Sequence, residues 1–329
     1  MGKIDEACRI AVVVPCYNEA LTVAKVVTDF RRELPEATVY VFDNNSTDGT
    51  GELAREAGAV VIRSPRQGKG HVIRHMSEAL DADYYVLVDG DDTYPAEAAR
   101  PMIEKTLAEG LDMLVAARLE QARHGAFRRF HRFGNQLISG LIALLFHAPI
   151  TDVLSGYRVL SRKSVALMSL RGGGFEVETE MTLQALAKDL AMGEVAFPYR
   201  ERPEGSHSKL STWSDGFLIL RAIILLFKDY KPLLFFTGVA VVAAVLSLIS
   251  GSAPIIEFIR TGLVLHIPRA ILASALAIIA MISLTVGLIL DTVSKFHAEE
   301  VELWKRHLMV EKDNRGSFVR SPGSDRSDG

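Results

Sequence analysis

The stretch Tyr84-Tyr-Val-Leu-Val-Asp-Gly-Asp-Asp-Thr-Tyr-Pro95 joins a short apolar run to three closely spaced carboxylates. Its first part, residues 84–88, has the length and the aromatic and β-branched composition of a buried strand. The aspartates at positions 89, 91 and 92 follow that strand directly. In open parallel sheets, ligands bind beyond the carboxyl ends of the strands. The stretch therefore predicts a central strand that ends at a ligand-binding site.

Strands and helices alternate from residue 10 up to this stretch. The strand-like runs are short and apolar, and they cover residues 10–15, 38–42 and 60–62. Helical patterns fill the intervals over residues 20–32, 51–57 and 70–80. Short apolar strands separated by helices are typical of a parallel sheet that carries helices on both faces. The predicted fold class is therefore α/β, with a Rossmann-like, mostly parallel sheet.

The acid cluster also predicts a metal site. Three carboxylates within four residues repel one another unless a cation lies among them. Asp89 and Asp91 are two residues apart, so in an extended backbone their side chains point to the same side. Carboxylate oxygens without nearby Cys or His suit Mg²⁺ or Mn²⁺ and not Zn²⁺. We predict that Asp89 and Asp91 bind Mg²⁺ or Mn²⁺, with a solvated acidic loop as the alternative.

Polar sequences also follow the other three strands. They are Pro15-Cys-Tyr-Asn-Glu19, Asp43-Asn-Asn-Ser-Thr-Asp-Gly-Thr50 and Arg66-Gln-Gly-Lys-Gly70. The second sequence also fits a capped turn in which Ser46 or Thr47 is the N-cap of the next helix. Such a turn does not explain why Asp43 stands where the strand opens onto the ligand face. The third sequence lacks the P-loop pattern, so by itself it indicates phosphate contact only weakly.

Two uncharged runs concentrate the apolar residues of a chain that is 49% hydrophobic. They cover residues 233–253 and 270–290, and each is long enough as a helix to cross a hydrocarbon core of about 30 Å. Two buried helices of a soluble domain are the alternative, but little polar sequence is present to cover them. Lys and Arg flank the pair, so the positive-inside rule places both termini in the cytosol and the loop of residues 254–269 outside. We predict a transmembrane hairpin in the inner (cytoplasmic) membrane.

A further apolar run, residues 216–227, precedes the first predicted span and contains Arg221. It is short and charged in its middle, so an interfacial amphipathic helix is favoured over a third span. From Glu311 onward the chain is polar and is predicted to be disordered. The predicted parts are a cytosolic catalytic domain over 1–212, the interfacial helix over 213–232, two transmembrane helices over 233–291 and a partly disordered cytosolic tail over 292–329.

Charge and cysteine content exclude several classes of protein. The chain has 37 Lys and Arg against 40 Asp and Glu, a net charge of −3, which argues against a broad nucleic-acid-binding face. Two cysteines, Cys8 and Cys16, are too few for a disulfide scaffold. The first residues lack the apolar stretch of a signal peptide, so the first domain is expected to stay in the cytosol. A homo-oligomer is compatible with the sequence.

Together, the motifs resemble those of family-2 glycosyltransferases with the GT-A fold. Their order is Pro-x-Tyr-Asn-Glu, Asp-Asn-Asn-Ser-Thr-Asp-Gly-Thr, Gln-Gly-Lys-Gly, Asp-x-Asp and Ser155-Gly156-Tyr157-Arg158. Over residues 8–212 the chain is similar to the polyprenyl-phosphate (dolichol-phosphate) glycosyltransferases, and the predicted hairpin is similar to that of their membrane-anchored bacterial branch. The resemblance implies a metal-dependent hexosyltransferase.

The resemblance also implies roles for individual residues. The nucleotide-sugar would bind to Pro15, Tyr17, Asn18, Glu19, Asp43, Asn45, Gln67, Lys69, Asp89, Gly90 and Arg118. Asp89 and Asp91 would hold the metal, and with Asp92 they would form the catalytic acid cluster. The acceptor phosphate would bind to Arg128, Arg129, Arg132, Ser155, Arg158, Arg202, Ser208 and Lys209.

Two features keep two interpretations, and a third departs from the pattern of the relatives. The arginine-rich segment 118–132 fits a basic loop facing solvent or lipid as well as it fits a phosphate clamp. Glu178 and Glu180 fit either a site-lining role or the capping of a core helix. Some bacterial relatives have Gly-Asp-Phe-Arg where this chain has Gly156-Tyr157-Arg158. An aspartate base proposed for those relatives therefore has no counterpart at Tyr157.

The predicted reaction is the inverting transfer of a sugar from a nucleotide-sugar to polyprenyl phosphate, for glycan or lipid modification in the cell envelope. UDP-hexose or UDP-N-acetylhexosamine is favoured as the donor, and GDP-mannose is the alternative donor. A phosphate monoester has a second pKa of about 6, so its oxygen is largely anionic at neutral pH and needs alignment more than a base. The alternatives are transfer to another lipid or saccharide and a non-catalytic nucleotide-sugar-binding membrane scaffold.

Overall fold

The computed structural model describes residues 8–119, 139–140, 142, 150–170, 177–198, 224, 227–229 and 231–318. The chain divides into two compact units, Met1–Leu220 and Arg221–Gly329. The first unit contains a sheet with helices, and the second contains two long helices.

One sheet of seven strands organises the first unit. The strands are β1 (Ile10–Cys16), β2 (Thr38–Asp43), β3 (Val60–Arg63), β4 (Tyr84–Leu87), β5 (Met113–Leu119), β6 (Arg158–Ser161) and β7 (Met192–Pro198). Their order across the sheet is β3-β2-β1-β4-β6-β5-β7. Strand β6 pairs antiparallel with β4 and with β5, whereas the other pairings are parallel. The predicted mostly parallel α/β sheet is confirmed.

Helices cover both faces of this sheet. They are α1 (Val23–Glu33), α2 (Thr50–Glu56), α3 (Lys69–Ala79), α4 (Ala99–Glu109), α5 (Arg162–Leu167) and α6 (Val177–Ala187). Successive residues of β1 enter different cores, with Val12 and Val14 in one and Ala11 and Val13 in the other. The first core also contains residues of α1, α2 and α4, and the second contains residues of α3 and α6. Burial on both faces explains why the strands are continuous apolar runs.

The direction of β6 brings its first residue to the edge of the sheet at which the parallel strands end. Arg158 is paired with Leu87 of β4 and with Val115 of β5. Because β6 runs against its neighbours, its start lies at the edge where the parallel strands end. The loop that precedes β6, residues 150–157, therefore reaches the same edge as the loops after β1, β2, β3 and β4.

The turn before α2 differs from the prediction. The residue that precedes this helix is Gly49, with a φ angle of 87°, and the carboxylate of Asp48 accepts a hydrogen bond from the Thr50 N–H. The hydroxyl of Ser46 instead accepts a hydrogen bond from the backbone N–H of Asn18. The prediction of Ser46 or Thr47 as the N-cap is therefore wrong, because this loop is held against the end of β1.

The second unit contains α7 (Pro232–Thr261) and α8 (Ile267–Phe318). By length and composition, the segments Pro232–Thr261 and Ile267–His297 could each cross a membrane, and few of their residues are buried. The two helices pack closely at Gly287 of α8. A β-carbon on this glycine would lie 2.9 Å from Cβ of Phe236 in α7. The two apolar C-terminal helices expected from the sequence are confirmed.

The helix boundaries differ from the predicted ones. Helix α7 continues through Pro254, so the connection shrinks from the predicted residues 254–269 to residues 262–266. The carboxylate of Glu257 closes this turn, because it accepts hydrogen bonds from the N–H groups of Leu265 and His266 at 2.9 and 3.2 Å. Helix α8 continues to Phe318, beyond Glu311, where the sequence predicted that order ends. The predicted interfacial helix lies almost entirely outside the described residues, as do residues 319–329.

Candidate active site

Hydrogen bonds join the loops after β1 and β2 into one platform. Asn18 has a φ angle of 54°, its N–H donates to Ser46 Oγ at 3.0 Å, and its Oδ1 accepts from the Thr47 N–H at 2.9 Å. The N–H of Glu19 donates to Thr50 Oγ1 at 2.9 Å. Asparagine tolerates the left-handed backbone better than most residues do, which accounts for it at this position. Two of the predicted nucleotide-sugar residues, Asn18 and Glu19, therefore belong to this platform.

Asp43 ends β2 beside the same platform. Its Oδ1 accepts a hydrogen bond from the Ser46 N–H at 3.0 Å, and a β-carbon on Gly51 would lie 3.2 Å from its Oδ2. The neighbouring Tyr17, after β1, is 39% exposed. Pro15 is part of β1, where it is paired with Phe42 of β2. These residues lie together at the ends of β1 and β2, and their role in a nucleotide pocket stays a prediction.

Asn44 connects that platform to the loop after β3, although we did not place it in the site from the sequence. Its Nδ2 donates to the carbonyl oxygens of Ser64 and Arg66 at 2.9 and 2.6 Å. Its Oδ1 accepts from the Gly68 N–H at 2.7 Å. Asn44 is only 4% exposed, so its side chain has a structural role. It holds Gly68, the residue before Lys69, in place. The signal was its place in the motif between Asp43 and Asn45.

Asn45, in the loop after β2, contacts Gln67, in the loop after β3. Nδ2 of Asn45 donates to the Pro65 carbonyl at 3.0 Å and lies 3.4 Å from Oε1 of Gln67. Asn45 has a φ angle of 66°, which directs its side chain from the β2 loop to the β3 loop. The loops after β1, β2 and β3 are thus connected to one another, and this connection includes the predicted residues Asn45 and Gln67.

Lys69 lies between two carboxylates at the centre of the strand ends. Its Nζ is 2.5 Å from Asp89 Oδ1 and 2.5 Å from Glu178 Oε1. The side chains of Lys69 and Glu178 are 9% and 5% exposed, whereas that of Asp89 is 30% exposed. Burial lowers the pKa of Lys69, but the two carboxylates raise it by more, so its pKa lies above the ordinary value and the ammonium stays charged.

Glu178 is the partner whose role the sequence left open. It belongs to the first turn of α6 and is buried beside Lys69. Its second oxygen, Oε2, is buried and has no hydrogen-bond partner within the described part of the chain. A buried carboxylate oxygen without a partner is costly, so such an atom indicates a role in the site beyond the capping of the helix.

The three aspartates after β4 take three different partners. Asp89 contacts Lys69, Asp91 accepts from the Thr93 hydroxyl at 2.6 Å, and Asp92 accepts from Lys25 of α1 at 2.7 Å. The chain turns at Gly90 and Asp91, and Asp92 has a φ angle of 59°. The backbone at Gly90 and Asp91 is therefore a turn and not the extended chain that the prediction assumed. Asp91 is only 3% exposed, so Asp89 is the more accessible carboxylate of the two.

The turn at Gly90 is held tightly against β1 and α1. The hydroxyl of Thr22 donates to the Gly90 carbonyl at 2.6 Å, and Thr22 is 2% exposed. A β-carbon on Gly90 would lie 2.6 Å from Sγ of Cys16. Glycine is therefore required at position 90 for this approach, and the position of Asp89 depends on the neighbouring chain.

Arg118, at the end of β5, pairs with Asp152 of the loop before β6. Its Nε and Nη2 donate to Oδ2 and Oδ1 of Asp152 at 2.7 and 2.8 Å, and its backbone N–H donates to Oδ2 at 3.1 Å. Asp152 is 5% exposed, and the Arg118 side chain is 28% exposed. The two-pronged pairing fixes the guanidinium plane at the edge of the sheet.

Ser155 and Arg158 do not occupy the position that the sequence predicted. Both are 0% exposed. The Ser155 hydroxyl donates to the Ala116 carbonyl at 2.6 Å, and Arg158 donates to the carbonyl oxygens of Ser155 and Val153 at 2.9 and 2.7 Å. Burial lowers the pKa of Arg158 to about 10. The prediction that these two residues bind the acceptor phosphate is corrected, because their polar groups are used inside the fold.

Tyr157, which stands where some relatives have Asp, is equally buried. It is 0% exposed, and its hydroxyl donates to the Pro95 carbonyl at 3.4 Å. Burial raises the pKa of the Tyr157 hydroxyl, so the group stays neutral. The remaining predicted acceptor residues lie outside the described residues; they are Arg128, Arg129, Arg132, Arg202, Ser208 and Lys209.

The residues at this edge fit a divalent cation that takes most of its ligands from a substrate. Within the described ranges, no three acidic, His or Cys side chains converge as a metal-binding group. Asp89 offers a partly exposed carboxylate, and Glu178 offers a buried oxygen without a partner beside it. Mg²⁺ in phosphate-binding sites typically uses one or two carboxylates together with substrate oxygens and water. Such a donor set agrees with Asp89, and the role of Asp91 as a second ligand stays a prediction.

The sequence matches known glycosyltransferases. Residues 11–167 match the family described as glycosyl transferase family 2. The chain is 33% identical over 294 residues to glycosyltransferase AglJ of Haloferax volcanii, a match that covers 89% of this chain and 96% of that protein. The chain belongs to glycosyltransferase family 2. It is also 28% identical over 215 residues to a dolichyl-phosphate hexose transferase of the same organism, over 65% of this chain and 92% of that protein.

Solved structures identify the fold of this family-2 chain. Glucosyl-3-phosphoglycerate synthase from Mycobacterium tuberculosis, solved with Mn²⁺, UDP and glucosyl-3-phosphoglycerate, superposes with a TM-score of 0.55 and 22% identity. The match covers 68% of this chain and 80% of that one. At this level of identity the likeness concerns the fold alone. The predicted GT-A fold is confirmed.

Proposed function

We propose that this family-2 glycosyltransferase transfers a sugar from a nucleotide-sugar to polyprenyl phosphate, with inversion at the anomeric carbon. One observation carries the proposal: the same chain has two features. The charged side chains of Asp89, Lys69 and Arg118 lie at the edge where the parallel strands end, and two apolar helices could cross a membrane. The relative named dolichyl-phosphate hexose transferase supports a lipid-phosphate acceptor. UDP-hexose or UDP-N-acetylhexosamine is the favoured donor, with GDP-mannose as the alternative.

The donor's nucleotide would lie on the platform formed by the loops after β1 and β2. Tyr17 is exposed there, and Asp43 ends β2 with its carboxylate at the same edge. The hydrogen bonds of Asn18 and Asn45 hold these loops before a ligand arrives. Preorganisation of this kind lowers the entropic cost of binding.

The diphosphate would lie near Asp89, Lys69 and Arg118. The divalent cation, Mg²⁺ or Mn²⁺, would be held by Asp89 and would neutralise charge on the leaving nucleoside diphosphate. Lys69, the first residue of α3, and Arg118, near the end of β5, supply positive charge there. Fixed cations aimed at developing negative charge are an effective form of catalysis. Asp92, which is paired with Lys25, would support the turn and not touch the donor.

The transfer itself is a single displacement. An oxygen of the acceptor phosphate forms a bond to the anomeric carbon, while the bond from that carbon to the donor's diphosphate oxygen breaks. The electron pair leaves with the nucleoside diphosphate, and no proton has to move because the acceptor oxygen is already anionic. Arg128, Arg129, Arg132, Arg202, Ser208 and Lys209 are proposed to align the acceptor phosphate.

We further propose that the two apolar helices anchor the catalytic domain at the cytoplasmic face of the inner membrane. A lipid acceptor presents its phosphate at that surface, so anchoring raises the local concentration of enzyme and acceptor. The proposed division is a catalytic domain over 1–212, an interfacial helix over 213–232, the hairpin over 233–291 and a cytosolic tail over 292–329. Both termini would lie in the cytosol.

A donor and acceptor panel tests this function. Membranes containing the full chain are incubated with radiolabelled UDP- and GDP-sugars, polyprenyl phosphate and Mg²⁺ or Mn²⁺, and lipid-linked label is extracted. We expect label from one donor class, none with the Asp89→Asn variant and none without the lipid phosphate. Label on a saccharide or another lipid would favour the alternative acceptor, and binding of donor without any transfer would favour a non-catalytic scaffold.

A further inference from the structure

The Lys69 ammonium lies where two carboxylates converge, at a position that also suits a divalent cation. Its Nζ is 2.5 Å from one oxygen each of Asp89 and Glu178. A β-carbon at position 156 would lie 2.8 Å from this Nζ and 2.5 Å from Asp89 Oδ2, so the glycine there leaves room for the pair. The ammonium is thus confined between two acidic groups and the backbone of the loop before β6.

The buried acid of this cluster keeps one oxygen unused. The buried guanidinium of Arg158 also acts on Glu178 electrostatically, yet Oε2 of the 95% buried Glu178 side chain has no hydrogen-bond partner among the residues described. A buried acid with an unused oxygen is prepared for a second positive group or for a change in the position of the first. The unused oxygen of Glu178 can follow the ammonium if the ammonium leaves Asp89.

We propose that Lys69 occupies the place of the divalent cation in the nucleotide-free protein, so that the cation enters only together with the donor's diphosphate. The inference rests on the proposed function, because it deepens the description of the same donor site. Glu178 is then a positioning residue that acts through Lys69. It keeps the ammonium beside Asp89 until the donor arrives.

Electrostatics give the reason for this order. A bare cation approaching Asp89 meets the ammonium at about 4 Å, where two like charges repel strongly even at a high effective dielectric constant. A cation bound to a nucleoside diphosphate carries negative charge with it, so the displaced ammonium gains a phosphate partner at the moment it loses Asp89. Glu178 keeps one contact with the ammonium during that change.

Binding of Mn²⁺ to the full chain in detergent tests the proposal. Electron paramagnetic resonance counts free Mn²⁺, with and without UDP or GDP. In the wild-type protein we expect weak Mn²⁺ binding alone and at least about tenfold tighter binding with the matching nucleotide. Lys69→Met should bind Mn²⁺ without nucleotide at least about tenfold more tightly than wild type, because a charge about 4 Å away has been removed.

Two variants control for the charge and for the place of the lysine. Lys69→Arg keeps the positive charge and should gain no nucleotide-free Mn²⁺ affinity. Lys25→Met removes a lysine that contacts Asp92 in the same acidic turn at 2.7 Å, but whose side chain is 53% exposed. This variant should also gain nothing. Lys69→Gln, which retains a hydrogen-bond donor, replaces Lys69→Met if the latter fails to fold.

The outcomes separate this inference from the proposed function. Equal Mn²⁺ affinity of the wild type with and without a nucleotide that is itself shown to bind, or no gain in a folded Lys69→Met or Lys69→Gln protein, overturns the inference. If neither UDP nor GDP binds to the wild type but the lysine variants gain Mn²⁺ affinity, the exchange site stands and the nucleotide-sugar function fails. Gain in the Lys25→Met control as well would show a general charge effect and would also overturn the inference.

Discussion

Gly156 approaches Asp89 so closely that a β-carbon on this glycine would lie 2.5 Å from Oδ2 of the carboxylate. The N–H of Gly156 donates to the hydroxyl of Tyr94 at 3.1 Å, so the backbone cannot move away freely. The loop before β6 thus fixes one side of the carboxylate that follows β4. The absence of a side chain at position 156 is a condition for the arrangement of Asp89 and Lys69.

We therefore expect Gly156→Ala to reduce transfer by roughly 5- to 150-fold. Inserting a methyl group into a packed region costs about 1–3 kcal/mol, and here the displaced atoms are those of the donor site. Steady-state kinetics with varied nucleotide-sugar measures the effect. As the control, Gly110→Ala introduces a side chain where φ is 61° and nothing lies within 4 Å. It should lower the thermal midpoint without a matching loss of kcat/KM; a similar loss of kcat/KM in this control would contradict the assignment.

Asp89→Asn and Asp91→Asn should have different consequences. Asp89 is partly exposed and faces Lys69, so its loss should abolish transfer with little change in thermal stability. Asp91 is buried and accepts two hydrogen bonds from Thr93, so its neutralisation should also lower the unfolding free energy, by about 1.5–3 kcal/mol. Activity assays beside thermal melts distinguish the two. Equal destabilisation by both substitutions would show that Asp89 is also a structural group.

Removal of divalent cations should imitate Asp89→Asn. EDTA should stop transfer, and added Mg²⁺ or Mn²⁺ should restore it, since the cation is proposed to neutralise charge on the leaving diphosphate. The Asp89→Asn protein should not recover at any cation concentration. Full activity of the well-folded wild type in EDTA would refute the metal assignment.

Asp152→Asn should act through Arg118. The carboxylate accepts three hydrogen bonds from that arginine, so its loss frees the guanidinium at the end of β5. We expect Asp152→Asn and Arg118→Ala each to raise the apparent KM for the donor by roughly tenfold, from the loss of a charge-assisted contact of about 1.5 kcal/mol. In the double variant the two effects should not add, because both remove one unit. Additive effects would show that the pair does not work as a unit.

Lys209→Ala or Arg132→Ala should affect the acceptor and spare the donor. A charge-assisted hydrogen bond to phosphate contributes about 1.5–3 kcal/mol, so the apparent KM for polyprenyl phosphate should rise about 10- to 150-fold. Calorimetry of nucleotide binding, run beside kinetics with varied acceptor, separates the two effects. Lower nucleotide affinity with an unchanged acceptor dependence would place these residues in the donor site.

A thiol-labelling experiment checks the proposed orientation of the helices. Leu263 lies in the short connection between α7 and α8 and is 62% exposed. Leu263→Cys should react in intact cells with a maleimide that cannot cross membranes, whereas Cys8 should react only after the cells are opened. In alkaline carbonate the protein should stay in the membrane fraction. Labelling of Leu263→Cys only in opened cells would reverse the orientation.

The sequence by itself determined the fold class and the edge of the sheet that carries the site. The apolar runs of β1, β2 and β4 are continuous because helices cover both faces, and a strand buried on both sides leaves no room for alternating polar residues. The polar sequences that follow these strands, from Asn18 to Asp89, then meet because parallel strands end at one edge. Local composition was sufficient for both conclusions.

Only the tertiary structure decided which polar residues face that edge. Arg158 and Ser155 looked like ligands for phosphate, but both are fully buried. Arg158 begins β6 between β4 and β5, and Ser155 lies in the loop before it. Asp91 and Asp89 look alike in sequence, yet the turn at Gly90 separates their partners. Glu178 reaches Lys69 from far along the chain, because α6 packs on the same face as α3. Such partners depend on contacts between distant segments, which spacing along the chain does not encode.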